Sequence, residues 1–238
     1  MDGVLRWLQL VWQNLLACIA ALLIICNTLF FGLPVMVLGW CKLASTNLRW
    51  QRWWTRPIIA LCSSWVCVIL LLERSLLGIR WHIDRPDELL PDHSYLVIAN
   101  HQSMADIPVL MRALHGQVPF LRFFIKAQLR RVPVFGFAWR VADCPFMHRY
   151  DKAYLEKNPQ AKGQDLVATI ESCRRLRDRP AALMNFIEGT RFTTIKHSQQ
   201  ASPFEHLLKP KAGGIALAIR GMEGQLQTLL DVSIYYGE

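Results

Sequence analysis

The sequence predicts an α/β domain with a layered, mixed but largely parallel sheet flanked by helices, preceded by an N-terminal helical region that anchors the chain to a membrane. Apolar residues are concentrated in the first 72 positions, and from Gly78 onward short β-rich runs alternate with helical patterns. Such alternation is typical of layered α/β sheets. Of the 238 residues, 53% are hydrophobic and only 19% are charged, which excludes a disordered protein.

Charge divides the chain near Leu72. Residues 1–72 contain five Lys or Arg and one acid, whereas residues 73–238 contain 22 bases and 17 acids. The first part therefore has the composition of an anchor, and the second has the charge balance of a soluble protein. We predict a membrane anchor over 1–72 and an α/β domain over 73–238.

Two apolar runs, 15–40 and 57–72, form the predicted anchor. As helices they would be about 39 Å and about 24 Å long, against a hydrocarbon core of about 30 Å. The first run can span the membrane, or bend at Gly32 and Pro34 and re-enter it. The second is marginal for spanning and is also compatible with a buried core helix.

A basic, Trp-rich loop is predicted over 48–56, between the two runs. Trp rings favour the headgroup level of a bilayer, and short basic loops resist translocation. Two full spans would place this loop and the basic domain on opposite faces of the membrane. We therefore favour an arrangement in which one run re-enters or lies in the interface, over a two-span hairpin.

Beyond the anchor, the β-rich runs predict six strands, and three segments have helical patterns. The predicted strands are 79–83, 95–99, 121–125, 142–147, 182–187 and 229–236, and the predicted helices lie near 107–115, 164–178 and 213–221. The polar segment 150–165 predicts a surface insertion. Polar residues follow the strands 95–99 and 182–187 directly, and ligands bind at the carboxyl ends of parallel strands. The candidate site is therefore expected at these two strand ends.

The first of these polar segments contains His101 and Asp106. Pro108 favours a helix that starts close to Asp106, which makes Asp106 a plausible N-cap. His101 would lie in the preceding loop, which can fold back to the carboxylate. Such a pair fixes the imidazole tautomer and suits a general base that acts on a hydroxyl. A loop histidine beside an ordinary cap fits the spacing equally well.

The second polar segment is Glu188-Gly189-Thr190-Arg191. Gly189 permits a tight turn, Thr190 supplies a hydroxyl donor, and Arg191 offers a bidentate fork for phosphate. Glu188 would orient these bases or contact acceptor hydroxyls. Lys211, which precedes two glycines and a helical pattern, is a further candidate anion ligand. Glycines that merely mark the boundary of a helix explain these residues nearly as well.

These blocks resemble those of a known family. The segments 100–106 (NHQSMAD) and 188–191 (EGTR) resemble the NHxxxxD and EGTR blocks of the PlsC-like glycerolipid acyltransferases, the 1-acylglycerol-3-phosphate acyltransferases. The segment 146–149 (FMHR) resembles the family's F-x-x-R block, and Lys126 occupies the place of a family lysine that follows a strand. In this order the blocks cover about 90–215.

The residues around the blocks resemble one branch of that family more than others. The segments 185–193 (NFIEGTRFT) and 230–233 (LDVS) are similar to the branch that contains bacterial YihG and the lysocardiolipin acyltransferases. Ile187 stands where the family usually has proline. Members of this branch commonly continue well beyond the equivalent of Glu238.

The resemblance implies transfer of a fatty acyl group from acyl-CoA or acyl carrier protein to a lysophospholipid hydroxyl, most simply converting 1-acyl-glycerol-3-phosphate to phosphatidate. It implies that His101 is the base and that Asp106 orients it. The residues it implies for substrate binding are Lys126, Arg149, Glu188, Gly189, Thr190, Arg191 and Lys211.

No metal or other cofactor is expected, because the alcohol would attack the thioester directly. The sequence contains no G-x-S-x-G motif and no metal-ligand spacing. Its seven cysteines include no C-x-x-C pair, which indicates a reducing compartment rather than a disulfide framework.

Other functions remain open on the sequence alone. The acceptor could be another lysophospholipid, in phospholipid remodelling, or glycerol-3-phosphate. A non-catalytic basic protein that binds anionic lipid or RNA is also compatible with the net charge of +9. The interleaved aromatic and basic residues at 49–56 fit a bilayer interface better than a base-stacking platform, so no specific nucleic acid is expected. The expected location is a bacterial inner membrane with the domain on its cytoplasmic side.

Overall fold

The computed structural model describes residues 2–147, 156 and 158–237. The chain divides into two compact units, Met1–Asp84 and Arg85–Glu238. The first unit is helical and the second has mixed α/β architecture. The predicted fold class is confirmed, because the main sheet is parallel and helices flank it.

The first unit is an antiparallel helical hairpin. Helix α1 comprises Asp2–Ala44 and helix α2 comprises Leu48–Leu72, which a π-helical turn, Glu73–Leu77, extends. Two polar bonds cross between the helices: the Asn27 amide donates to the Trp65 carbonyl at 3.2 Å, and the Trp65 indole donates to the Thr28 hydroxyl at 3.1 Å. Both helices are long and apolar enough to cross a membrane. Whether either of them spans or re-enters stays a prediction.

The prediction of a loop over 48–56 is wrong, because these residues are the first turns of α2. Asn47 caps the helix, since its side-chain oxygen accepts from the backbone N–H of Arg49 at 2.8 Å. Arginine and tryptophan do not break helices, so the interfacial composition of this segment gave no information on its backbone. Helix α2 thereby has 25 residues, about 38 Å, instead of the sixteen counted in its apolar run.

Four parallel strands form the main sheet of the second unit. In chain order the elements are β1 (Tyr95–Ala99), α3 (Asp106–Leu114), β2 (Leu121–Phe123), β3 (Ile125–Lys126), a 3-10 turn (Ala127–Arg131), α4 (Phe135–Val141), β4 (Phe146–Met147), α5 (Pro159–Arg174), β5 (Ala182–Phe186), α6 (Thr194–Gln200), α7 (Ala212–Met222) and β6 (Thr228–Val232). The strands of the main sheet lie in the order β2-β5-β1-β6, and strands β3 and β4 pair separately.

The register of the main sheet places three strand ends level with one another. Ala99, the last residue of β1, lies beside Phe186 of β5 on one side and Val232 of β6 on the other. The strands are parallel, so the segments that follow all three leave the sheet at one edge.

Several strand predictions are wrong in extent or existence. Residues 79–83 have no regular secondary structure, and Ile79 and Ile83 are 48% and 39% exposed. Alternating apolar residues form a strand only where a neighbour supplies hydrogen bonds, and none does so here in the described chain. The strand expected over 142–147 is reduced to Phe146–Met147, because the chain turns at Asp143, where φ is +61°.

Two further strands end earlier than predicted. The run 121–125 is divided at Phe124 between β2 and β3, and the run 229–236 ends as a strand at Val232. Helices α4 and α6 were not predicted. Helix α5 begins at Pro159, inside the expected surface insertion over 150–165, and residues 150–155 and 157 of that insertion lie outside the described residues.

The core of the second unit lies between the sheet and helices α5 and α7. Cys173 of α5 and Ala218 and Met222 of α7 are completely buried, together with Leu183 of β5. Gly221 allows the two helices to approach closely, because a Cβ at this position would lie 2.4 Å from the Cβ of Cys173. The helix contact therefore depends on the absence of a side chain at 221.

We predict that Gly221→Ala destabilises the protein by about 1–3 kcal/mol, because the added methyl group overpacks this contact. Gly213→Ala, in the first turn of the same helix, meets nothing within 4 Å and should leave stability nearly unchanged. Thermal unfolding of the two variants in detergent measures the difference. Equal stability of both would contradict the packing argument.

Candidate active site

Three segments meet at the level strand ends: 100–106 after β1, 187–191 after β5 and 233–236 after β6. The Ile187 N–H donates to the carbonyl of Ala99 at 3.2 Å. The Asn100 side chain accepts from the Ile234 N–H at 2.7 Å and donates to the Ile234 carbonyl at 2.9 Å. Hydrogen bonds thus tie both outer segments to the one that follows β1.

His101 and Asp106 are in direct contact. His101 Nδ1 lies 2.7 Å from Asp106 Oδ2, the carboxylate is completely buried, and the imidazole side chain is 14% exposed. The same carboxylate oxygen accepts from the backbone N–H groups of Gln102 at 2.7 Å and Ser103 at 2.9 Å. The loop therefore folds back onto the carboxylate.

The N-cap role predicted for Asp106 is wrong. Asp106 is the first residue of α3 and Ala105 is the cap, without a side-chain hydrogen bond. The carboxylate instead turns back toward the loop and accepts from amides that precede the helix. Its position in the first helical turn still favours negative charge, because the helix dipole is positive at this end.

Asp106 is held in its ionised form. Burial alone would raise the pKa of its carboxyl, but hydrogen bonds from the Tyr236 hydroxyl, the Ser103 and Gln102 amides and His101 outweigh burial, so that the pKa lies below its ordinary value. An ionised carboxylate on Nδ1 keeps the proton of a neutral imidazole at that nitrogen and stabilises the imidazolium. Nε2 of His101 is thereby left as the basic nitrogen.

Phe186 fixes the plane of the imidazole. It is the last residue of β5, and its ring stacks on His101 with centroids 3.9 Å apart and an interplanar angle of 13°. The ring of His101 is therefore restrained by Asp106 at its edge and by Phe186 on one face.

Glu188 is a buried link between three segments. Its Oε1 accepts from the His101 N–H at 2.7 Å and its Oε2 accepts from the Leu208 N–H at 2.8 Å, and the residue is completely buried. Both oxygens are thus used by backbone amides. In this arrangement Glu188 supports the loop of His101 and is shielded from solvent.

The residues after Glu188 form a cationic loop. Gly189 has φ +69°, and a Cβ there would lie 3.1 Å from Cδ of Lys211, whose side chain passes over the glycine. Lys196 Nζ donates to Thr190 Oγ1 at 2.9 Å and to the Arg191 carbonyl at 3.0 Å. The Thr190 oxygen accepts from the ammonium, so its own proton is free to point toward a ligand.

The cations in and beside this loop carry charge that no carboxylate among the described residues pairs with. Arg191, Lys196 and Lys211 form no salt bridge with a carboxylate in the described part of the chain. Charged donors that converge on a hydroxyl and a glycine turn are suited to an anion such as phosphate. Over the described residues, no group of three or more His, Cys, Asp or Glu side chains is arranged to hold a metal ion.

A family model described as Acyltransferase matches residues 80–236. The chain belongs to the acyltransferase family. The resemblance to the PlsC-like glycerolipid acyltransferases is thereby confirmed, and it favours an enzyme over a non-catalytic protein that binds lipid or RNA.

Individual relatives agree with this family. Mouse lysocardiolipin acyltransferase 1 is 26% identical over 222 residues, covering 87% of this chain and 55% of that protein. Lysophosphatidylinositol acyltransferase 10 of Caenorhabditis elegans is 24% identical over 223 residues, covering 88% and 51%. The chain spans about half the length of these relatives.

A solved structure shares the acyltransferase fold. The crystal structure of the 1-acyl-sn-glycerophosphate (LPA) acyltransferase PlsC from Thermotoga maritima matches with a TM-score of 0.51 and 18% identity, covering 89% of this chain and 71% of that chain. At this identity the match establishes the fold.

Most of the site residues predicted for this acyltransferase lie in the connected segments described above: His101, Asp106, Glu188, Gly189, Thr190, Arg191 and Lys211. Lys126 is exposed in β3, and no described hydrogen bond or salt bridge joins its side chain to them. Arg149 lies outside the described residues.

Sequence reasoning missed Tyr236, Phe186 and Lys196. Tyr236 was assigned to a strand over 229–236; ending that strand at Val232 would have placed it at the same sheet edge as His101. Phe186 lies two residues before the EGTR block, and this short separation is the signal that could have identified it. The sequence carries no signal for Lys196, because a single lysine on a short helix is ordinarily a surface residue.

We predict that Glu188→Gln lowers the free energy of unfolding by about 1–3 kcal/mol, because the amide replaces one acceptor with a donor and leaves a buried N–H unpaired. Glu205→Gln is the control, since the Glu205 side chain is 86% exposed. Chemical denaturation in detergent measures both. A Glu188→Gln variant as stable as the control would refute the linking role.

Proposed function

We propose that this chain transfers a fatty acyl group from an acyl thioester to a hydroxyl of a lysophospholipid. The observation that carries the proposal is that the His101–Asp106 pair and the cationic loop 188–191 are joined by one buried carboxylate, Glu188. A base for a hydroxyl and a binding loop for a phosphate are the two elements that this reaction requires.

In the proposed mechanism, Nε2 of His101 removes the proton of the acceptor hydroxyl. The oxygen attacks the thioester carbonyl carbon, the C–S bond breaks, and the imidazolium returns the proton to the leaving thiolate. The products are an ester and a free thiol. The charge of Asp106 stabilises the imidazolium while it exists.

The proposed acceptor carries a glycerol phosphate. Thr190, Arg191, Lys196 and Lys211 supply the donors for the phosphate oxygens, and the acceptor with the most exposed phosphate is 1-acyl-glycerol-3-phosphate, whose acylation gives phosphatidate. The similarity to lysocardiolipin and lysophosphatidylinositol acyltransferases supports other lysophospholipids as alternatives. Glycerol-3-phosphate contains the same phosphate and is a further alternative.

Acyl-CoA or acyl carrier protein is the proposed donor, and the proposed reaction consumes no other cofactor. The proposed location is a membrane, on which the apolar helices α1 and α2 hold the protein. The proposed membrane is a bacterial inner membrane, with the second unit on its cytoplasmic side.

We predict that His101→Ala and Asp106→Asn each lower kcat by about 10²–10⁴ in an assay of purified protein with lysophosphatidate and acyl-CoA, because each removes general-base catalysis. His206→Ala, whose side chain is 83% exposed, is the matched control. Full activity of either dyad variant would eliminate the mechanism.

We predict that Lys196→Gln raises the KM for lysophosphatidate about tenfold, with less than about a twofold change in kcat, because it removes a charged donor from the phosphate site. Arg220→Gln, which removes one exposed positive charge from the last turn of α7, should leave both constants unchanged. A panel of lysophospholipids and glycerol-3-phosphate in the same assay identifies the acceptor. An unchanged KM in Lys196→Gln would remove this residue from the site.

A further inference from the structure

The segment after β6 is fixed against the loop that contains His101. Besides the two bonds between the Ile234 backbone and the Asn100 side chain, the Ile234 carbonyl accepts from Gln102 Nε2 at 3.1 Å. These bonds hold the backbone two residues before Tyr236. The position of the Tyr236 side chain is therefore set by the same loop that carries the proposed base.

The hydroxyl of Tyr236 donates to Asp106 Oδ1 at 2.5 Å. The other carboxylate oxygen is already used by His101 and two backbone amides, so Tyr236 is the partner of the remaining oxygen. Asp106 is completely buried, so water does not compete for this bond. One oxygen of the carboxylate thus contacts the imidazole, and the other accepts from the phenol.

We propose that Tyr236 is a positioning residue that sets the orientation of Asp106 and the strength with which Asp106 holds a proton on His101. This inference rests on the proposed function, in which His101 is the base. A short hydrogen bond withdraws charge from the carboxylate, so the carboxylate stabilises the imidazolium less than an unbonded one would.

The surrounding groups keep Tyr236 in its role as donor. Burial, together with the hydrogen bond to Asp106 and its negative charge, raises the pKa of Tyr236, so that the phenol retains its proton in the physiological range. The described titratable groups that face this pair are His101, on the other oxygen of Asp106, and Glu188, which binds the backbone N–H of His101. Neither of them offers the phenol an alternative acceptor among the described contacts.

The test is Tyr236→Phe in the intact, detergent-solubilised protein, assayed with lysophosphatidate and acyl-CoA over a range of pH. This variant keeps the ring and removes only the hydroxyl. We expect kcat to fall about tenfold with little change in the acceptor KM, because a hydrogen bond to a charged group is lost. We also expect the acidic limb of the pH–rate profile to move to higher pH, because the carboxylate then holds the imidazolium proton more strongly.

Tyr235→Phe is the matched control. Tyr235 is the neighbouring residue and is 86% exposed, so the loss of its hydroxyl should change neither the rate nor the profile. A lower folded fraction of Tyr236→Phe would reduce the rate equally at every pH and leave the acidic limb in place. That result, like a profile identical to the control, would overturn the inference.

A second variant tests the opposite sign. Incorporation of 3-fluorotyrosine at 236 preserves the shape and makes the phenol a stronger donor, so the acidic limb should move to lower pH. A shift in the same direction as Tyr236→Phe, or none, would contradict the inference. Absence of acyl transfer by the unmodified protein would instead refute the proposed function, so the two failures are distinguishable.

Discussion

Backbone amides beyond the level ends of three parallel strands must find acceptors, and two buried carboxylates supply them. Past Ala99 the ladder ends, and the N–H groups of His101, Gln102 and Ser103 have no strand partner. The N–H of Leu208, in the segment between α6 and α7, has none either. Asp106 and Glu188 accept from all four. An unpaired buried amide costs about as much as a lost hydrogen bond, so these carboxylates are structural requirements before they are chemical ones.

The chemistry of the site follows from the same requirement. A carboxylate that accepts several hydrogen bonds stays ionised despite burial, and an ionised group beside Nδ1 makes the opposite nitrogen of the imidazole a base. Both side-chain oxygens of Glu188 accept from backbone amides, whereas Asp106 also contacts an imidazole. The division of work between the two acids therefore follows from which of them has an imidazole among its partners.

The alternation of β-rich and helical runs predicted the fold class, and the contact between His101 and Asp106 could be predicted because the two residues are only five positions apart. Glu188 could be placed but not explained, since its partners lie 87 and 20 positions away along the chain. Tyr236 was missed because it was assigned to a predicted strand, 229–236, that in the structure ends four residues earlier. The segment 48–56 was wrongly predicted as a loop. Its basic and aromatic composition indicates a preference for the membrane interface, but it does not indicate that the backbone is helical from the Asn47 cap onward.

The polar bonds between Asn27, Thr28 and Trp65 have a consequence for the helical hairpin. In hydrocarbon, where water offers no substitute partner, these groups would be satisfied in a single alignment of the two helices. If one helix moved along the other by a turn, about 5.4 Å, the Asn27 amide and the Trp65 indole N–H would lose these hydrogen-bond partners in lipid. The two hydrogen bonds would thus fix the alignment of α1 and α2 along their axes.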